Sequence, residues 1–257
     1  MKKVCIMLSL IVAILVTVSC SKDENKDNPI IPQTKKIEFS YEQFAVPDNM
    51  IPYRKAEISS STDGKFALVI YLHGGSSKGT DNINQLNEKG IDSIGNYLLK
   101  NQIKSILLVP QCPTDKTWDG TLKTVIKSLI DSYTAKSEVD RQRIYMLGGS
   151  MGGTGTWSIL SAYPNIFAAA MPVAGNPSRC DASNVATTPV LTVMGTMDKI
   201  MSIETVKSFA EQVNALGGNI KLEVEDGWTH EQTCIESYTS ERLKKLFEWE
   251  CKLNCVK

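Results

Sequence analysis

The chain has 257 residues, of which 42% are hydrophobic, and its 28 Lys plus Arg balance 28 Asp plus Glu. This is enough for a buried core in one large domain or two small ones, and zero net charge argues against a nucleic-acid partner, which needs a basic face. Two histidines and no ligand-type cysteine spacing give no metal site, and nothing in the chain asks for a cofactor.

Lys2 and Lys3 open the chain, and Val4 to Val18 is an apolar run. It is shorter than the roughly 20 residues of a membrane-spanning helix. Ser19-Cys20 follows, then the polar stretch from Ser21 to Asn28. Residues 1–19 therefore read as an export signal, 20–34, with Pro29 and Pro32, as a flexible tether, and 35–257 as the folded domain. A small residue before Cys20 resembles the lipobox of bacterial lipoproteins, with Thr17 where that pattern usually has Leu. The run Ser21 to Glu24 resembles the surface-export signals of some Gram-negative lipoproteins. These resemblances imply lipidation at Cys20 and a place on the outer membrane, periplasmic or cell-surface, with the membrane touched only through the lipid. Outside the cytosol disulfides are permitted. Cys112, Cys180, Cys234, Cys251 and Cys255 would remain, an odd number, so at least one thiol stays free. Cys180 and Cys234 read as loop residues.

Ile37 to Val46 and Tyr53 to Ser59 alternate as strands of an antiparallel edge. Phe66 to Leu72 is a continuous apolar run, the pattern of a strand buried on both faces, and it ends in His73-Gly74-Gly75-Ser76. Ile91 to Leu99 reads as a helix and Ser105 to Val109 as a strand stopping at Pro110. Leu122, Val125, Ile126, Leu129, Ile130 and Tyr133 mark one helical face. Arg143 to Leu147 is a strand, and a helix runs from Met151 to about Tyr163, where Pro164 ends it. Strands follow at Phe167 to Val173 and Pro189 to Met194. A helix capped by Ser202 and ended by Gly217-Gly218, a strand from Asn219 to Glu225, and a closing helix from Ile235 to Trp249 complete the order. Strands alternating with helices predict an α/β fold: a mostly parallel, doubly wound sheet with helices on both faces and ligands bound beyond the carboxyl ends of the strands.

Between the strand ending at Leu147 and the helix from Met151 stands Gly148-Gly149-Ser150-Met151-Gly152-Gly153. Gly-x-Ser-x-Gly at a strand-to-helix turn reads as a nucleophile elbow. The turn would lift Ser150 clear of the sheet, and the Met151 amide would sit at the helix start, facing any oxyanion formed beside Ser150. A Gly-rich helix start that only packs tightly is the alternative. A serine needs a base to take its proton. His73 sits in a His-Gly-Gly turn of the kind that supplies a backbone amide, which leaves His230, in the segment Asp226-Gly227-Trp228-Thr229-His230, as the base. Asp198, after the strand ending at Met194, is the candidate to orient the imidazole. Asp226, Asp181 and Glu204 are rivals.

At these residues the chain resembles the α/β-hydrolases. More narrowly it resembles the group of polyhydroxybutyrate-depolymerase-like, feruloyl and acetyl-xylan esterases and "predicted peptidase" proteins. The matching stretches are Tyr71-Leu72-His73-Gly74-Gly75, Val109-Pro110-Gln111-Cys112-Pro113 with Trp118, Asp140 to Tyr145 leading into the elbow, Gly195-Thr196-Met197-Asp198-Lys199, and His230. The similarity covers residues 35–257 and implies catalysis by Ser150, Asp198 and His230 through an acyl-enzyme. It further implies oxyanion donors at the amides of Met151 and Gly75 or Gly74. His73 and Trp118 are expected at the substrate site, with Trp118 alternatively a packed loop aromatic. Only Pro172 to Thr188 lies where many α/β-hydrolases insert a lid, too short for a folded cap. The expectation is a secreted serine carboxylesterase acting on small-molecule or polysaccharide esters, such as acetylated or feruloylated glycans. A peptidase or amidase on the same residues, or a non-catalytic carbohydrate-binding surface lipoprotein, are the alternatives.

Overall fold

The structure, a computed structural model, describes residues 37–47, 49–59 and 64–249. The export signal, the tether, Cys20, Cys251 and Cys255 lie outside the described residues. Eight strands form one sheet: β1 (Ser40–Val46), β2 (Asn49–Ile58), β3 (Phe66–Leu72), β4 (Ser105–Pro110), β5 (Val139–Gly149), β6 (Ala169–Val173), β7 (Val190–Gly195) and β8 (Ile220–Glu225). Their spatial order is β1-β2-β4-β3-β5-β6-β7-β8. β1 and β2 pair antiparallel, as does β2 with β4, and every pairing from β4 to β8 is parallel.

Parallel neighbours need crossovers, and the helices α1 (Lys89–Lys100), α2 (Leu122–Thr134), α3 (Met151–Ala162), the four-residue α4 (Ala182–Val185) and α5 (Ile203–Ala215) supply them, followed by α6 (His230–Glu236) and α7 (Ser240–Phe247). β3 and residues 144–147 of β5 are apolar at every position, whereas β5 begins with the polar run 140–143. Leu68, Ile70, Leu72, Ile144 and Met146 pack on one side with Leu129 of α2, Trp157 of α3 and Phe209 of α5. Ala67, Val69, Tyr71, Tyr145 and Leu147 face the other side, against Ile94 of α1 and Leu246 of α7. Successive residues of a strand point to opposite faces, so a sheet covered twice needs apolar residues at every position.

The α/β-hydrolase architecture read from the sequence is the one observed, with differences at the ends of elements. The closing helix from Ile235 to Trp249 is two helices, α6 and α7, because the Thr239 hydroxyl accepts from the Arg242 amide and starts a new helix there. α6 begins earlier than expected. Thr229 and Gln232 form a reciprocal capping box, which makes His230 the first residue of a helix rather than part of a loop, and it also moves Cys234 from a loop to a helix. Between β6 and β7 only α4 is regular, capped by Asp181, whose side chain accepts from the amides of Ser183 and Asn184.

Candidate active site

At the end of β5 the chain turns within one residue. Ser150 has φ 56° and ψ −118°, a left-handed conformation that costs a non-glycine residue about 1–3 kcal/mol and persists only where its surroundings hold it. Its amide donates to the Val173 carbonyl and its carbonyl accepts from the Thr154 amide, both at 3.0 Å. The elbow closes only because it is built from glycine. A Cβ on Gly148 would lie 2.5 Å from the Gly152 carbonyl oxygen, and one on Gly152 would overlap the carbonyl of Leu72.

Three loops at the carboxyl ends of strands bring the polar groups together. The Asp198 side chain is fully buried after β7, and its Oδ1 accepts from the amides of Ile200 at 2.8 Å and Met201 at 2.9 Å. Its Oδ2 lies 2.8 Å from His230 Nδ1, and His230 Nε2 lies 2.8 Å from Ser150 Oγ. Since a carboxylate only accepts, Nδ1 carries the proton, and Nε2 is left to accept from the Ser150 hydroxyl. Both contacts fall within the reach that proton transfer requires. The rival carboxylates are engaged elsewhere: Asp226 accepts from Thr196 Oγ1, Asp181 caps α4, and Glu204 lies in the first turn of α5.

The loop after β3 passes close to Ser150: a Cβ on Gly74 would sit 3.7 Å from that of Ser150. The Met151 amide heads α3, and the exposed Gly75 opens a short 3-10 turn. Among the described residues neither amide has an acceptor. Gly74 is different. It is buried, and its amide donates to Glu88 Oε1 at 2.8 Å, so Gly74 is corrected from an open donor to an occupied one.

His73 and Trp118 are also corrected. Both are 0% exposed and neither can touch a substrate. The Cys112 amide donates to His73 Nε2 at 2.9 Å. That leaves Nδ1 as the protonated nitrogen, donating to the Gly74 carbonyl at 2.7 Å. Burial pushes the pKa of His73 below its ordinary value, in keeping with a neutral ring. The indole Nε1 of Trp118 donates to the His73 carbonyl at 2.9 Å, and the two rings meet edge to face with centroids 5.1 Å apart. The pair is a buried brace under the loop.

Two neighbours of the site carry no motif in the sequence. Glu88 holds the loop after β3. Cys234 lies four residues past His230 on α6, with Sγ 3.9 Å from His230 Nε2. Burial, then the charges of Glu88 and Asp198, push its thiol up to about 12, which keeps the sulfur protonated. The four-residue spacing to His230 is the one signal that could have found it. A cleft of about 500 Å³ runs along α3 from Thr154, one turn past Ser150. Asp119, Lys123, Ser158, Arg179 and Met201 also line it. Among the described residues neither Lys123 nor Arg179 has a carboxylate within 4.0 Å.

The dienelactone hydrolase family model matches residues 108–247, more than half of the chain. Poly(3-hydroxyalkanoate) depolymerase C of Paucimonas lemoignei is 28% identical over 146 residues, 53% of this chain and 34% of that protein. The bifunctional acetylxylan esterase/xylanase XynS20E of Neocallimastix patriciarum is 34% identical over 97 residues, 36% of this chain and 14% of that protein. This chain thus spans about a third or less of both curated relatives. The crystal structure of a thermostable esterase superposes with a TM-score of 0.74 at 26% identity, covering 82% of this chain and 63% of that one. With its sheet order, its elbow and the family match over β4 to α7, the chain belongs to the dienelactone hydrolase family, on an α/β-hydrolase fold.

Proposed function

We propose that the protein is an exported serine carboxylesterase that removes acyl groups from polysaccharides. The observation that carries this reading is the continuous hydrogen-bonded line from Asp198 through His230 to Ser150, set beside two unengaged amides. In this reading His230 Nε2 takes the proton of Ser150 as Oγ attacks the ester carbonyl. The negative oxygen is held by the amides of Met151 and Gly75. His230 passes the proton to the departing alcohol, and the acyl group stays on Ser150. Water then attacks the acyl-enzyme, His230 takes its proton and returns it to Ser150 Oγ as the acyl C–O bond breaks, and the acid leaves. Asp198 keeps the imidazole in one tautomer and balances its charge in the two proton-bearing stages.

The polysaccharide assignment draws support from three directions. The connection between β6 and β7 carries only α4, which leaves the rim open to bulky substrates. The cleft along α3 is lined by hydroxyls and charged groups rather than by an apolar wall. Both curated relatives carry names of enzymes that act on polymers. Residues 1–19 serve as the export signal in this reading, and lipid on Cys20 holds the enzyme at the outer membrane.

The decisive experiment is turnover of a short nitrophenyl ester, followed by acetylated and feruloylated oligosaccharides beside peptides. Ser150→Ala should lose about four or more orders of magnitude in kcat while the protein stays folded. Activity that survives this change takes Ser150 out of the reaction. Faster cleavage of peptides than of esters makes the chain a peptidase.

A further inference from the structure

Glu88 stands at the N-cap of α1, where a negative side chain is favoured by the helix dipole and could bond the first amides of the helix. It does not do so here, and makes no side-chain cap bond. Its carboxylate reaches back instead to the loop after β3. Oε1 accepts from the Gly74 amide and from the Ser77 hydroxyl, each at 2.8 Å, and Oε2 accepts from the Tyr71 hydroxyl at 3.1 Å. One group thus ties residues before, within and after the turn that faces Ser150. Tyr71 and Ser77 are buried, so these bonds are little exposed to competing water. The Gly75 amide shares a rigid peptide plane with the Gly74 carbonyl, which accepts from the Ser77 amide at 3.3 Å and from His73 Nδ1 at 2.7 Å, and Glu88 holds the Gly74 amide before that plane and Ser77 after it. A Cβ built on Gly75 would meet nothing within 4 Å, so that side of the turn is open.

We infer that Glu88 is a positioning residue that aims the Gly75 amide at the reacting carbonyl, an inference that rests on the esterase reading of Ser150. Three donors occupy its two oxygens, so the side chain is engaged wholly by the loop. Glu88 does not line the cleft along α3, where the esterase reading seats the rest of the substrate. Losing Glu88 should therefore lower the rate of acylation and leave binding alone.

The test measures kcat and KM on a short nitrophenyl ester for wild type, Glu88→Ala and Glu88→Gln, with thermal melts of each. Glu88→Ala should lose about 100-fold in kcat, the usual scale for a misaimed oxyanion donor, with KM moving less than about threefold. Glu88→Gln keeps an accepting oxygen for Gly74 and Ser77 and should recover to within about tenfold of wild type. Affinity for a boronic acid that mimics the tetrahedral intermediate should fall in step with kcat. If Glu88→Ala fails to fold, Ser77→Ala carries the test, with kcat expected to fall about threefold or more at constant KM. An Ala variant that keeps wild-type kcat, a loss confined to KM, or a Gln variant as slow as Ala overturns the inference. Wild type that turns over no ester, by contrast, strikes the esterase reading itself.

Discussion

In the loop after β3, the indole of Trp118 reaches the carbonyl of His73, whose ring in turn receives the Cys112 amide. Each bond is buried, and removing one partner leaves a polar group stranded at a cost of about 1–3 kcal/mol. Trp118→Phe deletes the donor together with the five-membered ring, so a cavity adds to the stranded carbonyl. It should lower stability by at least that amount in urea titration, with KM for a small ester unmoved. A raised KM at constant stability would instead make Trp118 a substrate contact. The same reasoning separates His73 from His230. Both follow strands, but one ring is saturated by backbone partners and the other spans a carboxylate and a hydroxyl.

At the scale of elements, the site depends on β8 and α7 staying together, because α6 and its first residue His230 hang between them. The tie is Arg242 of α7. It donates through Nε to Glu223 at 2.7 Å and also pairs with Glu225, both on β8. Burial alone would raise the pKa of Glu223, but hydrogen bonds from Arg242 and Lys221 outweigh it and bring the group down from 4.5 to about 2. The unfolded chain then takes up a proton below 4.5 that the folded chain refuses until about 2. The stabilisation is complete above pH 4.5 and is lost as pH falls toward 2. Calorimetry should find the fall in Tm across that window shallower in Glu223→Gln than in wild type. Equal slopes would show that the pair does not couple to folding. Arg242 also lies over the Trp228 ring at 5.8 Å, which packs the loop leading to His230 against the same tie.

For the whole molecule, the two-sided sheet leaves its strand ends as the place where β3, β5, β7 and β8 can each contribute a loop. The proposed lipid anchor, Cys20, lies before the folded domain in the chain. Cys20→Ser should move the protein from the membrane fraction to the soluble fraction of the cell envelope, with specific activity on soluble esters unchanged. A protein that stays with the membrane after that change is held by something other than the lipid.

Much of the architecture was legible in the sequence because apolar runs such as Phe66 to Leu72 and helical stripes such as Leu122 to Tyr133 report burial directly. The Gly-x-Ser-x-Gly spacing marked the elbow for a local reason: strand and helix can cross there only where Cβ atoms are missing. Thr229 and Gln232 spelled the start of α6 as well, although the run of polar residues hid it. What the sequence could not carry was the partnership of groups far apart in the chain. Glu88 and Gly74 are 14 residues apart, and His73 and Trp118 are 45 apart. No periodicity links such pairs, since their bonds exist only once β3, β4 and α1 have packed. Local patterning determined the order and type of the elements. Tertiary packing alone decided which amide beside Ser150 is open and which is already taken.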